Sequence, residues 1–295
     1  MHLLEERASP QGRPSLKSRN FFRSLRELIL LAPSGEPAPR LFRRCHADAE
    51  RCHGLLSEMQ RLRGAVYLRD GAIPSAQIAE GRHRSAGDPE SWHLLILDGD
   101  GHVCGCSRYR EHPFHAGCKH MLVSKAAQAQ CPRWGAKVAS AVEQELALAR
   151  RSGLSCAEVG GWALSEEVRG TSEAVRMVLT TYRLGQALGG GVGIGTATHR
   201  NSSASILRRL GARPLEHDDA ELPSYRDPQY LCEMEILRFY FWEPNPRYAA
   251  WIAEIRAELP NTRVIADCEA KPERRFVNLG WDFAGMRPAL AAGAA

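Results

Sequence analysis

CAEVGGWALSEEVRGTSEAVRMVLTTYRLGQALGGGVGIGTATHRN, residues 156–201, is the stretch that decides the fold. It begins with an apolar run containing Gly160 and Gly161, and it ends at 191–198, where Gly or Ala alternates with β-branched residues. Between the two runs lie a turn and a long helical pattern. Glycine weakens a strand interior and usually marks the close approach of a ligand or of another backbone. The order therefore predicts two small-residue strands that flank one helix and leave a wedge of bare backbone for a linear, amide-containing arm.

The turn at 167–174, EVRGTSEA, stands where the helix begins. The first turn of a helix has N–H groups without partners and a partial positive charge. A turn with Gly170, Thr171 and Ser172 lets those groups converge on a phosphate, and Arg169 adds a charged donor. A phosphate at the helix start and an amide arm in the wedge together describe a pantetheine thioester.

The flanking segments predict a single mixed sheet. The residue patterns predict helices at 53–70, 135–153, 202–211 and 245–259, a hairpin at 92–111, a long strand at 229–242, a strand at 262–268 and a short helix at 20–32. This order predicts an α/β (α+β) fold, a mixed central sheet with helices on both faces.

Composition excludes several classes of protein. The chain has 295 residues, 44% hydrophobic and 25% charged, as in ordinary globular proteins. No apolar run is long enough for a transmembrane helix, and the polar N-terminus lacks the apolar core of a signal peptide. The nine cysteines are an odd number without a regular framework, which favours reduced thiols and a cytoplasmic location.

Charge is concentrated at the N-terminus. Residues 1–44 hold nine Lys or Arg and four Asp or Glu, an excess equal to the formal net charge of +5 of the whole chain. The remaining body is neutral, which argues against a nucleic-acid-binding domain. We predict a basic, largely disordered arm at 1–44, a single folded domain at 45–243 and a C-terminal helical extension at 244–295. The arm is either a solubilising tail or a contact for an acidic carrier protein or, at most peripherally, a membrane surface.

Residues 169–174, RGTSEA, carry a family resemblance. This turn resembles the Gln/Arg-x-x-Gly-x-Gly/Ala signature of the GNAT superfamily of N-acyltransferases, with Ser172 at the middle glycine position. The short helix ending in Leu210-Gly211 is similar to the element that follows the next strand in that family. The resemblance implies a GNAT-like fold, a pantetheine thioester as co-substrate without a tightly bound cofactor, and donor contacts from residues in three segments. These residues are Trp162, Ala163, Leu164, Arg169, Gly170, Thr171, Ser172, Glu173, Ala174 and Asn201.

Upstream residues resemble N-acyl-homoserine-lactone synthases and long-chain N-acyl amino acid synthases. The segment LRGAVYLRD, which contains Arg63, is similar to their first helix. Asp88, Ser91 and His93 resemble their entry into a strand, and Arg108 resembles a strand arginine. The resemblance assigns Arg63, Asp88, His93 and Arg108 to substrate binding, and it implies an acyl carrier protein as a partner.

Glu158 is the predicted general base, because the family often has a glutamate at this place. An amine must lose a proton to attack, and partial burial would raise the pKa of the base. The alternative is a solvent-facing strand carboxylate. The family's leaving-group acid, a tyrosine, falls on Leu207, so that acid is absent or comes from Tyr182 or Tyr240. Asn201 and Trp162 keep alternative roles in helix capping and core packing.

A rival constellation lies at 104–120. Its possible ligands are Cys104, Cys106, His112, His115, Cys118 and His120. Zinc takes four nitrogen or sulfur ligands, but the usual Cys-x-x-Cys pairs are missing. Alternation along a strand places Cys104 and Cys106 on one face, as small core residues, and we predict no metal.

These features predict an N-acyltransferase that moves an acyl group from acyl-CoA or an acyl carrier protein to the amine of an amino acid or similar small molecule. The segments 112–134 and 233–242 would line a tunnel for a long acyl chain. The alternatives are an acetyl-CoA-dependent N-acetyltransferase and a catalytically degenerate interaction module of the same fold.

Overall fold

The computed structural model describes residues 26–268. The helices are α1 Ala49–Arg69, α2 Ala127–Gln130, α3 Gly135–Arg151, α4 Glu173–Ala187, α5 Ser203–Leu210 and α6 Ala249–Glu258. The strands are β1 Glu27–Leu31, β2 Arg44–Ala47, β3 Trp92–Leu97, β4 Val103–His112, β5 Ser155–Leu164, β6 Gly190–Thr198, β7 Arg213–Pro214, β8 Glu216–His217, β9 Ala220–Glu221, β10 Tyr225–Asp227, β11 Cys232–Tyr240 and β12 Arg263–Ala266.

Within residues 26–268, ten of these strands form one mixed sheet in the order β10-β11-β6-β5-β4-β3-β1-β12-β2, with β7 paired to β11. The pairs β5–β6, β1–β12 and β12–β2 are parallel. The predicted hairpin joins β3 to β4. In its turn, Asp98 Oδ1 accepts hydrogen bonds from the N–H groups of Asp100 and His102, which is the turn chemistry that aspartate favours.

Helices cover both faces of the sheet, as the sequence predicts. On one face α1 buries Leu55 and Met59 against strand residues such as Leu95, and α3 packs on the same face beside it. On the opposite face, Met177 and Leu179 of α4 belong to the largest apolar cluster. The predicted α/β fold with a mixed sheet is therefore confirmed.

The sheet extends beyond the predicted acyltransferase domain. β1 lies in the segment assigned to the arm, and its Leu30 pairs with Leu94 of β3 and Val264 of β12. The helix predicted at 20–32 is wrong in its described part, because four consecutive buried apolar residues suit a central strand with two covered faces. The boundaries at 45 and 243 remain a prediction, and the rest of the arm and extension, at 1–25 and 269–295, lies outside the described residues.

None of the described helices combines the length and the apolar character that crossing a membrane requires.

Candidate functional site

β5 and β6 separate halfway along their length. Their parallel pairing runs from Ser155 to Glu158 on β5 and ends at Ile194 on β6. Beyond Glu158, β5 continues alongside β4, with an irregularity in the pairing near Gly161, whose φ of 64° is left-handed. β6 continues alongside β11. The wedge expected from the sequence is therefore present.

A cavity of about 720 Å³ fills this wedge and reaches both faces of the sheet. Nine of the predicted site residues line it: Arg108, Glu158, Trp162, Ala163, Leu164, Arg169, Gly170, Ala174 and Asn201. Six others do not contribute to its wall: Arg63, Asp88, His93, Thr171, Ser172 and Glu173. Leu122, Val123 and Met234 give it an apolar part, formed by the two segments that the sequence analysis assigns to an acyl tunnel.

The glycines of the two strands have different surroundings. A Cβ on Gly160 would meet no atom within 4 Å, so this residue faces open space. A Cβ on Gly195 would stand 2.4 Å from the carbonyl oxygen of Val159, at the point where the strands divide. A Cβ on Gly191 or Gly193 would instead collide with Leu154 or Phe241. The glycine alternation on β6 therefore accommodates core side chains as well as the wedge.

The start of α4 is open, as an anion site requires. Gly170 has a φ of 74° and no neighbour within 4 Å of a Cβ position, and Thr171 and Ser172 are exposed. Among the described residues, the N–H groups of Gly170, Ser172 and Ala174 donate to no protein acceptor. The side chain of Glu173 does not line the cavity, and its Oε2 lies 3.3 Å from Nη1 of Arg176. The turn therefore presents backbone donors and Arg169, while Glu173 stabilises the positive end of the helix dipole.

Five polar atoms in the cavity wall are buried without a hydrogen-bond partner among the described residues. They are Ser107 Oγ, Arg108 Nε, Trp162 Nε1, Tyr182 OH and Tyr225 OH. Buried polar groups are nearly always paired, because an unpaired one costs about 1–3 kcal/mol. Because each of these five atoms is shielded from solvent, they make the wall polar but do not face the open cavity.

Glu158 is buried and firmly held. Its Oε2 lies 2.9 Å from Nε2 of His112, and its Oε1 accepts the N–H of Val123 at 2.8 Å. Burial acts to raise the pKa of Glu158, but the hydrogen bonds from His112 and from the N–H groups of Leu122 and Val123 outweigh it, and the pKa is lowered. The expectation of a raised pKa is therefore wrong, and so is the alternative of a solvent-facing carboxylate.

Arg63, Asp88 and His93 form a buried network behind the cavity. Arg63 holds Asp88 with two hydrogen bonds of 2.9 and 2.6 Å, and His93 Nε2 lies 2.8 Å from the Asp88 carbonyl oxygen. Burial raises the pKa of Asp88, but Arg63 outweighs this and lowers it to about 2. Burial lowers the pKa of His93 to about 4, so this ring is neutral at pH 7. Of the four predicted substrate-binding residues, only Arg108 lines the cavity. Its Nη1 donates a hydrogen bond of 2.7 Å to Ser85 Oγ, which orients the guanidinium.

Three residues that line the cavity, Asp227, Tyr67 and Tyr230, were not predicted from the sequence as site residues. Asp227 is buried and lines the cavity. Its Oδ1 accepts the N–H groups of Gln229 and Tyr230, each at 2.9 Å. Tyr67 and Tyr230 stand edge to face with centroids 6.3 Å apart. The pair Asp-Pro before a strand indicates only a turn, so no pattern in the sequence distinguished Asp227 from a structural residue.

The rival metal constellation does not assemble. Among the described residues, no three His, Cys, Asp or Glu side chains group as metal ligands. The prediction that Cys104 and Cys106 share a face is wrong. An irregularity in the β3–β4 pairing near Val103 places them on opposite faces. Cys104 belongs to the cluster under α4, and Cys106 belongs to the cluster under α1.

The predicted acid position is apolar. Leu207 lines the cavity. Tyr240 lies elsewhere, with its hydroxyl 3.1 Å from Glu145. Tyr182 lines the cavity, and burial raises its pKa.

No family model matches the sequence, and no curated protein matches it. Solved structures do match. The chain superposes on the CoA-dependent acyl-homoserine lactone synthase BjaI, solved with SAM and isopentyl-CoA, with a TM-score of 0.50 at 12% identity over 84% of this chain and 95% of that one. The acyl-homoserine lactone synthase LasI matches with a TM-score of 0.44 at 13% identity, over 74% of this chain and 89% of that one. FeeM, an N-acyl amino acid synthase from uncultured soil microbes, matches with a TM-score of 0.43 at 14% identity, over 73% of this chain and 92% of that one. The likeness to BjaI confirms the predicted acyltransferase-like fold.

Proposed function

We propose that this protein is an N-acyltransferase that moves an acyl group from a pantetheine thioester to the amine of an amino acid or a similar small molecule. The observation that carries the proposal is the separation of β5 from β6 over a cavity that reaches the open start of α4. BjaI, which shares the fold, is described as a CoA-dependent synthase and was solved with SAM and isopentyl-CoA.

The donor lies in the wedge in this proposal. Its phosphate meets the start of α4, where Arg169 and free N–H groups provide donors. Its amide arm follows β5 past Gly160, where nothing occupies the space, and bonds backbone groups of Trp162 and Leu164. The acyl chain enters the apolar part of the cavity.

The acceptor lies between Arg108 and Asp227. These side chains carry opposite charges and line the same cavity, so they match the carboxylate and the amine of an amino acid. The guanidinium of Arg108 is mostly buried, and its Nη1 lies 2.7 Å from Ser85 Oγ and 3.6 Å from Asp88 Oδ1. A carboxylate is the ligand that such a group binds most strongly.

The reaction is attack of the amine nitrogen on the thioester carbonyl carbon. The ammonium first loses one proton to solvent; the neutral nitrogen then forms the C–N bond, the C–S bond breaks, and the released thiolate takes up a proton from solvent. As the C–N bond forms, the nitrogen becomes positively charged and acidic. An ionised Glu158 can therefore accept its proton through water even with a lowered pKa. The thiolate is a good leaving group, so Leu207 at the acid position does not prevent the reaction.

The test is product analysis with purified full-length protein. A mixture of amino acids is incubated with acetyl-, octanoyl- and palmitoyl-CoA, and with the same acyl groups on a carrier protein. Thiol release and N-acyl products are then measured by mass spectrometry. We expect an N-acyl amino acid from at least one donor, and Arg108→Gln should raise the KM for the amino acid about tenfold or more. Products from acetyl-CoA alone would support the acetyltransferase alternative.

One result would contradict the proposed enzyme function. Donor binding without thiol release above the buffer rate, for every donor and amine, would contradict the enzyme and leave the interaction module of the same fold. The lack of an acid at Leu207 and the two engaged oxygens of Glu158 are the observations that favour that module.

A further inference from the structure

Asp70 lies at the mouth of the cavity, where α1 ends. Its Oδ2 accepts a hydrogen bond from Arg169 Nη2 at 2.5 Å and another from Asn201 Nδ2 at 2.8 Å. Arg169 follows β5 and Asn201 follows β6, so this one carboxylate connects the two strands that separate. We call these two contacts the Asp70 bridge.

Other cations at this end also turn to Asp70. Arg69 Nε lies 3.1 Å from its Oδ1. Arg200, which lines the cavity, donates one hydrogen bond to the Asp70 carbonyl oxygen and a second to the Leu231 carbonyl oxygen. Three arginines at this end of the cavity, Arg69, Arg169 and Arg200, are therefore already engaged by Asp70.

Asp70 remains charged in this setting. Burial acts to raise its pKa, but the hydrogen bonds from Arg169 and Arg69 outweigh burial and lower it. A carboxylate and a phosphate offer similar oxygen pairs to a guanidinium, and two anions at one guanidinium repel each other. A donor phosphate and Asp70 therefore compete for Arg169.

We infer that Asp70 occupies the guanidinium of Arg169 in the ligand-free protein, and that a phosphate-bearing donor binds by displacing Asp70 from it. This inference rests on the proposed function for the class of ligand. It adds an autoinhibitory contact: the residue that ends α1 holds Arg169 until a phosphate replaces the Asp70 bridge. Within residues 26–268, the other side-chain hydrogen bond of Arg169 is a long one, from Nε to the Leu164 carbonyl oxygen at 3.4 Å, so Arg169 can exchange Asp70 for another anion.

The alternative role for Asp70 is to position Arg169 for the donor. The two roles predict opposite effects. Displacement predicts that neutralising Asp70 strengthens donor binding, whereas positioning predicts that it weakens donor binding.

The test is a calorimetric titration of CoA and of 4′-phosphopantetheine into full-length wild-type protein, Asp70→Asn and Asp100→Asn. Asp100 is an exposed hairpin residue, so its variant removes the same charge away from the cavity. We expect Asp70→Asn to lower the Kd about tenfold, with Asp100→Asn within twofold of wild type. An unchanged or higher Kd for Asp70→Asn would overturn the inference.

Two further outcomes are defined. If no form of the protein binds either probe, the proposed function fails and the inference fails with it. If Asp70→Asn does not fold, a structure of wild-type protein with CoA decides. Asp70 beyond hydrogen-bond distance of Arg169 supports displacement, and an intact Asp70 bridge contradicts it.

Discussion

At the scale of single residues, the chemistry of the cavity depends on how Glu158 is held. His112 and the N–H of Val123 fix its two oxygens, so the carboxylate has a defined position and is ionised over the whole physiological range. The same contacts tie the segment Leu122–Lys125 to β5. Glu158 therefore combines a structural role with its proposed chemical role.

Glu158→Gln separates these two roles. The amide keeps an acceptor for the N–H of Val123 but cannot take a proton. We expect kcat to fall about 100-fold and donor Kd to stay within twofold, measured by thiol release and calorimetry. Glu145→Gln is the matched control, because Glu145 is also a buried, paired carboxylate but lies outside the cavity wall. Equal rate losses in both variants would contradict the assignment of the base.

Asp88→Asn tests the buried network. Arg63 is only 1% exposed, and removing its counter-charge should cost about 3–5 kcal/mol of unfolding free energy. The measurement is urea unfolding at pH 7, with Asp100→Asn as the control. A loss below about 1 kcal/mol would contradict the account of this network.

The pH dependence of Asp88 follows from its lowered pKa. Arg63 shifts it from 3.8 to about 2 in the folded protein. Above about pH 5 both states are ionised, and the full stabilisation is present. As pH falls from about 4 to about 2, the unfolded state takes up the proton first, so about 2 kcal/mol of stability is lost. Wild-type protein should therefore lose more stability than Asp88→Asn in this window.

At the scale of elements, β6 combines packing and ligand access along one strand. Gly193 lies where the sheet is closed, and Gly195 lies where it opens. We expect Gly193→Val to destabilise the fold by about 1–3 kcal/mol through overpacking, because its Cβ would stand 2.7 Å from Phe241. Gly54→Val on the exposed face of α1 is the control, since a Cβ at Gly54 would have no neighbour within 4 Å. Equal stability of the two variants would show that the glycines of β6 are not packing positions.

Most elements around the wedge could be predicted from the sequence, because their signals are local. Leu55 and Met59 share a helical face, Asp98 marks a turn, and Gly211 ends α5. The order of strand, turn, helix and strand placed nine predicted residues at one cavity.

The remaining features depend on long-range contacts. The strand β1 pairs with β12, more than 200 residues away, and no local pattern contains that partner. The irregularity in β4 reverses the face of Cys104 relative to Cys106, since one extra residue inverts strand alternation. Asp70 was missed as a contact of Arg169 because 99 residues separate them.

At the scale of the whole molecule, β12 joins the two ends of the described chain to one sheet. It lies between β1 and β2, and Val264 and Ile265 are buried. A chain ending at residue 262 should lose about 4 kcal/mol from these two side chains alone, and its Tm should fall by about 10 °C or more. A chain ending at residue 268 keeps every described strand and is the control. Equal melting temperatures would show that β12 is dispensable.

The central claim is that a pantetheine arm lies in the wedge between β5 and β6, and Gly160→Val tests it most directly. The added side chain enters space that is empty in the protein, so the fold should be kept while the arm is blocked. Calorimetric titration of CoA should give binding to wild-type protein and to Gly54→Val, and at least about tenfold weaker binding to Gly160→Val with an unchanged Tm. Equal CoA affinity in all three proteins would contradict the claim.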